Sequence, residues 1–213
     1  MKRKNFKYKI CKNVIGKDVT SFLTDYYFMK QQVADKLQKN NYLPFYDSTW
    51  GKWLDPQAPN TYSCYADLIS EVLLINLLPF IEKNVGKKLL PTYSYMRIYK
   101  KGDELKKHID RPSCEYSMTL NLGGDLWPIY FKDNNQKEKK VILKAGDIAM
   151  YKGMELEHWR EPFEGKYCVQ VFLHYADEKN QNLLFDGREM LGLPKQFRSL
   201  LSLDNIYTGK VLK

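Results

Sequence analysis

In the run PTYSYMRIYKKGDELKKHIDRPSCEYSMTLNL, residues 91–122, the periodicity of the chain changes. Apolar and polar residues alternate from Thr92 to Tyr99, a Lys-Gly-Asp turn follows, and a second alternating run occupies Tyr116 to Leu122. Alternation with period two, rich in Tyr and bounded by turn residues, predicts half-buried β-strands. Further strands are expected at 128–132, 140–143, 147–151 and 166–175, separated by turn signals at Gly123-Gly124, Asp133 to Asn135, Gly146-Asp147 and Gly165. Upstream of Pro91 the spacing is helical. Phe22, Tyr26, Met29, Val33 and Leu37 form a stripe that predicts a helix over 20–38, with Thr20 or Ser21 as its cap. A second helix is expected over 65–84, stopped by Gly86 and Pro91.

Short strands at regular intervals after two helices predict an α+β fold, a double-stranded β-helix (jelly-roll) barrel buttressed by N-terminal helices. The expected organisation is one structural domain. Residues 1–90 form a helical support, 91–180 a jelly-roll core, and 181–213 a helix-and-loop extension. Residues 41–64, with Gly51, Pro56 and Pro59, read as a long loop whose Trp50 and Trp53 are placed to form a lid.

The chain has 213 residues, 44% of them hydrophobic, enough for a packed core and too many for wholesale disorder. Its longest apolar run, Val72 to Ile81, is interrupted by Asn76 and Pro79 and is too short to span a bilayer. The basic N-terminus lacks the apolar segment of a secretion signal, so no membrane partner is expected. Four scattered cysteines, Cys11, Cys64, Cys114 and Cys168, make no C-x-x-C pair, which argues against a zinc ribbon and fits free thiols in the cytoplasm. The formal net charge of +9 would attract acidic partners, yet the lysines lie in small scattered groups without an arginine-rich or aromatic-basic motif. Nucleic acid is a possible partner and not the favoured one.

Chemistry concentrates in the three histidines. In an extended segment, residues i and i+2 project to one face, so His108 and Asp110 of His108-Ile109-Asp110 can reach a single metal from one strand. His158, after another strand, can complete a two-His-one-carboxylate triad, which leaves coordination positions open for substrate and dioxygen. His174 ends an apolar strand and reads as a core or surface histidine. Trp127, Trp159 and Phe172 read as core.

Taken in order, residues 91–122, then WPIYF (127–131), AGDIAMYKG (145–153) and LEHWREPFEGKYCVQVFLHY (156–175), resemble the iron- and 2-oxoglutarate-dependent oxygenase superfamily, in particular its prolyl-4-hydroxylase-like branch. The resemblance covers about residues 91–177. It implies that His108, Asp110 and His158 ligate Fe(II), and that O2 and the cosubstrate 2-oxoglutarate share the open positions. It also implies a dioxygenase, a hydroxylase that couples conversion of 2-oxoglutarate to succinate with oxidation of a C–H bond. The family's 5-carboxylate anchor falls on Lys166, with Arg160 as its competitor and Arg97 as a weaker one, and Tyr99 matches a position that contacts the cosubstrate. For Arg111 and Arg160 the alternative is an ion pair that orients Asp110 or nearby loops. Substrate identity does not transfer with the fold: a small metabolite, an amino acid or a protein residue all fit. A nucleic-acid demethylase of the same superfamily and a non-catalytic jelly-roll binding module are the alternatives.

Overall fold

The computed structural model describes residues 6–44, 47–132 and 137–198. Two antiparallel sheets form its centre. The larger one is built from β1 (Tyr8–Cys11), β2 (Tyr62–Tyr65), β3 (Leu89–Lys100), β5 (Tyr116–Gly124), β8 (Ile148–Lys152) and β10 (Tyr167–Asp177), in the order β1-β8-β5-β10-β3-β2. The smaller one contains β4 (Leu105–His108), β6 (Ile129–Lys132), β7 (Glu138–Val141) and β9 (His158–Arg160), in the order β4-β9-β6-β7.

Two helices, α1 (Lys17–Lys39) and α2 (Leu68–Val85), cover the outer face of the larger sheet. Alternation along β10 shows how one strand serves both layers. Val169, Val171, Leu173 and Tyr175 join the helices in the main core with Leu23, Tyr27, Leu74 and Ile81. Cys168 and Phe172 point between the sheets, where Tyr99, Trp127 and Phe163 pack with them. The second inter-sheet cluster holds Ile129, Phe131, Leu143, Ala149, Tyr151 and Leu156. With both faces covered, β10 is buried along nearly its whole length, and within that buried run only Gln170 and His174 interrupt the apolar residues. The inner face also carries Ser117, Thr119 and Gln170, all buried, so one side of this interior is polar.

Several expectations from sequence are corrected. The stripe Phe22-Met29 of α1 faces outward, at 62% and 68% exposure, while Leu23, Tyr27 and Ala34 are buried. Both rows have helical spacing. Tertiary contact chooses between them, because the Tyr27 hydroxyl meets Ser70 and Asp67 on the neighbouring helix. The cap of α1 is Gly16, with no side-chain hydrogen bond, and Thr20 lies within the helix bonded to the Lys17 carbonyl. α2 begins at Leu68 rather than near Tyr65, since Tyr62–Tyr65 pairs with β3 and Asp67 caps the helix by accepting from the Ile69 amide. The N-terminal region therefore contributes β1 and β2 to both edges of the larger sheet besides its helices. Trp50 and Trp53 do not cover the inter-sheet opening. Trp50 lines an apolar groove with Met29 and Leu68, and Trp53 packs on Tyr62. The same loop instead brings Lys52, Asp55 and Gln57 to the opening. Beyond Arg198, the expected C-terminal extension lies outside the described residues. Among the described residues no helix is long and apolar enough to cross a membrane.

Candidate metal centre

Strand pairing brings the two distant histidines together. His108, the last residue of β4, lies directly opposite His158, the first of β9, and their rings stand 4.3 Å apart. Asp110 is not on the same strand as His108, contrary to the i, i+2 expectation. It lies in the irregular segment after β4, where its amide donates to the Gly153 carbonyl at 2.8 Å. Asp110 Oδ1 is then 3.5 Å from His108 Nε2 and 3.6 Å from His158 Nε2.

Each imidazole is oriented by its other nitrogen. His108 Nδ1 donates to the Lys106 carbonyl at 2.7 Å, and His158 Nδ1 to the Leu156 carbonyl at 3.0 Å. This assignment of protons follows from the carbonyls, which can only accept, and it leaves both Nε2 lone pairs directed at Asp110 Oδ1. The other carboxylate oxygen accepts from Ser117 Oγ at 2.6 Å, and His174 Nδ1 stands 3.1 Å behind that hydroxyl. Three donors held this way, with their remaining atoms engaged, fit a divalent metal of the facial-triad kind.

The electrostatics agree with that fit. Burial is the largest influence on Asp110 and would raise its pKa; hydrogen bonding and the adjacent imidazoles outweigh it and hold the carboxyl far below the usual range. Burial lowers His158 and keeps it a neutral, metal-competent imidazole. His108 is also disfavoured as a cation by burial, but the Asp110 carboxylate and the Lys106 carbonyl, both of which would accept from the protonated ring, prevail and raise it. Asp110, Cys114 and His174 make a second cluster of possible ligands. Burial pushes the Cys114 thiol up to about 12, so it stays protonated at neutral pH and is a poor ligand.

The cavity beside the triad has a volume of about 430 Å³, with Thr119, Ile129, Tyr151 and Phe172 on its inner walls. Tyr99 is fully buried next to Trp127 and accepts from Arg97 Nη1 at 3.0 Å. Arg97 itself is paired with Asp55 at 2.6 Å. Arg160 is buried between the sheets. Its Nη1 donates to the Trp127 carbonyl at 2.5 Å and its Nη2 to Gln170 Oε1 at 3.3 Å, and Nε has no partner. No carboxylate pairs with it among the described residues. The ion-pair alternative for Arg160 is therefore not what forms, whereas Arg111 does make a bidentate pair, to Asp186, at 2.8 Å for both bonds.

Lys166 is placed otherwise than its alternation with Gln170 suggests. It precedes the first residue of β10 and is exposed, with its amide bonded to Asp125 Oδ2. Trp159 is buried with its ring stacked on Tyr130, and Lys107 lies over it. His174 is a buried core histidine against Tyr93. Two residues that sequence reading passed over are Ser117, which holds Asp110, and Gly153. A Cβ on Gly153 would collide with Asp110 Oδ2, the Cys114 carbonyl and Ser117 Oγ.

The fold is similar to that of solved prolyl-4-hydroxylases and of an α-ketoglutarate-dependent epimerase. A prolyl-4-hydroxylase from Pseudomonas putida superposes with a TM-score of 0.62 at 10% identity, over 81% of this chain and 93% of its own. HygX from Streptomyces hygroscopicus, solved with nickel and 2-oxoglutarate bound, gives 0.56 at 12% identity, over 82% and 84%. The non-haem α-ketoglutarate-dependent epimerase SnoN of nogalamycin biosynthesis gives 0.59 at 10% identity, over 81% and 79%. At such identities the likeness is one of fold. No protein-family model matches the chain, and no curated protein matches it in sequence.

Proposed function

We propose that this chain is an Fe(II)- and 2-oxoglutarate-dependent dioxygenase that hydroxylates its substrate within a double-stranded β-helix core. The observation that carries the proposal is the convergence of His108 Nε2, His158 Nε2 and Asp110 Oδ1, with every other donor atom of the three side chains already engaged. His108, Asp110 and His158 would hold the metal. When bound, iron and 2-oxoglutarate supply the oxidising chemistry, consuming O2 and releasing succinate.

The chain's own contribution is binding, orientation and exclusion of water. Arg160 is the stronger anchor for the cosubstrate's 5-carboxylate. It sits two residues from His158 on the same strand face, about 7 Å along β9, as a buried cation with an unpartnered Nε and no ion pair among the described residues. An unpaired buried guanidinium is costly, and a ligand carboxylate would offset that cost. Lys166, being exposed, has water available instead. Tyr151 and Phe172 would wall the inner pocket, with Tyr99 in the cluster that packs with Phe172. Four unpaired cysteines suit a reducing compartment such as the cytoplasm.

The test is succinate release from 2-oxoglutarate with Fe(II) and ascorbate, including the slow turnover expected without a primary substrate. Wild-type protein should produce succinate and Asp110→Ala should not. Equal succinate from both would overturn the proposal, and so would wild-type protein that binds neither Fe(II) nor 2-oxoglutarate.

A further inference from the structure

The mouth of the metal cavity carries a charge excess that the reaction centre does not use. Its outer wall is formed by the aromatic rings of Tyr65, Tyr93 and Tyr95 with Lys52, Arg111 and Lys195. Arg111 and Arg198 share one carboxylate, Asp186, at 2.8 and 3.3 Å. Neither Lys52 nor Lys195 makes an ion pair or a side-chain hydrogen bond among the described residues. Within this group the cations outnumber the one carboxylate by three. The other three cations lie close enough to act on Lys195: after burial, Lys52, Arg198 and Arg111 are the leading influences that lower its ammonium.

Deeper in the cavity the charges balance. This accounting rests on the dioxygenase reading. A divalent metal with Asp110, and a 2-oxoglutarate dianion with Arg160, leave no net charge, and Arg97 is neutralised by Asp55. The unsatisfied charge is therefore at the mouth alone, where the substrate must enter.

We propose that the primary substrate is a small phosphate ester, with its phosphoryl group held between Lys52 and Lys195 beside Arg111 and its organic body directed between the tyrosines towards the metal. A phosphate dianion meets the charge excess better than a single carboxylate and can accept from several donors at once. The stacked pair Tyr65–Tyr93, with centroids 5.0 Å apart, and Tyr95 line the cavity beside these cations and suit a planar or apolar body. A polynucleotide is a worse fit, because the lysines around the opening do not form a basic track. Lys100, Lys107 and Lys132 are each paired with an acid, Asp103, Glu138 and Glu157 respectively.

The test uses phenyl phosphate as the probe, titrated calorimetrically into the full chain. One titration uses protein loaded with nickel(II) and 2-oxoglutarate so that the inner pocket is filled, and a second uses metal-free protein. Phenyl phosphate should bind in both, and benzoate, a monoanion with the same ring, should bind at least about tenfold more weakly. Lys52→Gln and Lys195→Gln, which keep their circular dichroism, should each weaken phenyl phosphate about tenfold, and Lys166→Gln should not. The proposal is overturned if the Lys52→Gln/Lys195→Gln double variant binds as well as wild type, or if benzoate binds equally. It is overturned too if only Arg160→Met abolishes binding, or if a twelve-nucleotide single strand competes at far lower concentration than phenyl phosphate. Because the metal-free titration needs no iron chemistry, failure there is separable from failure of succinate release.

Discussion

The amide of Asp110 donates to the carbonyl of Gly153, and the missing side chain of Gly153 leaves the space that the Asp110 carboxylate occupies. The irregular segment after β4 and a turn after β8 are thereby locked together at the proposed metal. Gly153 is not in the left-handed region, so its requirement is one of space. Gly153→Ala should leave the two sheets intact and displace Asp110 from the histidines. Fe(II) affinity, followed with Co(II) as a spectroscopic stand-in, should fall at least about tenfold, with the far-ultraviolet circular dichroism unchanged. An alanine variant that binds Co(II) as tightly as wild type would show that the carboxylate does not depend on this contact.

Ser117 acts on the same carboxylate from the other side. Its hydroxyl donates to Asp110 Oδ2, which leaves Oδ1 for the metal. Ser117→Ala removes that restraint without changing a ligand. Partners of this kind typically contribute about 10- to 100-fold to metal affinity, and the variant should lose about that much. Ser117→Thr should recover part of it if its hydroxyl keeps the same direction. The comparison is made by metal titration, since a purely structural role would change the melting temperature and leave the metal constant alone.

What could be read from the sequence depended on length and on locality. The helices and the long strands β3, β5 and β10 announce themselves through sustained periodicity, and the His-x-Asp with a distal His is visible as a pattern. The strands β1, β2, β4 and β9 have three or four residues each and exist because of their partners, so no local signal marks them. That omission affected the site. Because β9 carries no local signal, the shared strand face of His158 and Arg160 is not legible in the sequence, and alternation through β10 does not show that Lys166 lies one residue before the strand begins. The face of α1 was ambiguous for a different reason: two rows of apolar residues run along it, and only the hydroxyl contact of Tyr27 with α2 selects one. Gly153 and Ser117 matter through contacts 36 to 43 residues along the chain on one side and seven on the other, which periodicity does not encode.

His174 should give the fold a pH dependence of definite sign. Burial, the largest cause, lowers its pKa to about 4 from an ordinary value near 6.5. Between those values the unfolded chain binds a proton and the folded one does not, so stability is lost as pH falls from about 6.5 towards 4 and this contribution is flat below that. From pH 7 to pH 5 the loss is about 2 kcal/mol by the same linkage. A bound metal would disfavour the imidazolium further and keep the sign. Urea unfolding midpoints of wild type and His174→Gln measured at both pH values check it: the wild type should lose more stability than the variant, and equal losses would exclude His174 as the source.

Arg160 and Lys166 make opposite predictions, because only one of them is buried without an ion pair among the described residues. Removing a buried charge that a ligand carboxylate pairs with costs about 3–5 kcal/mol, which is roughly two to three decades in affinity. Arg160→Met should therefore raise the 2-oxoglutarate constant by about that factor while the Fe(II) site remains occupied. Without ligand, the same variant replaces an unpaired cation, with its orphaned Nε, by an apolar side chain of similar length. Its melting temperature in the absence of 2-oxoglutarate should hold steady or rise, as is found when buried charges give way to packed apolar groups. Lys166→Ala, at an exposed position, should change the 2-oxoglutarate constant by less than about threefold, the level of a screened surface interaction. Two measurements decide between them: 2-oxoglutarate titration of the Co(II)-loaded protein and the melting curve without ligand. A Lys166→Ala variant that loses two decades of affinity, beside an Arg160→Met variant that binds normally, would return the anchor to the strand start.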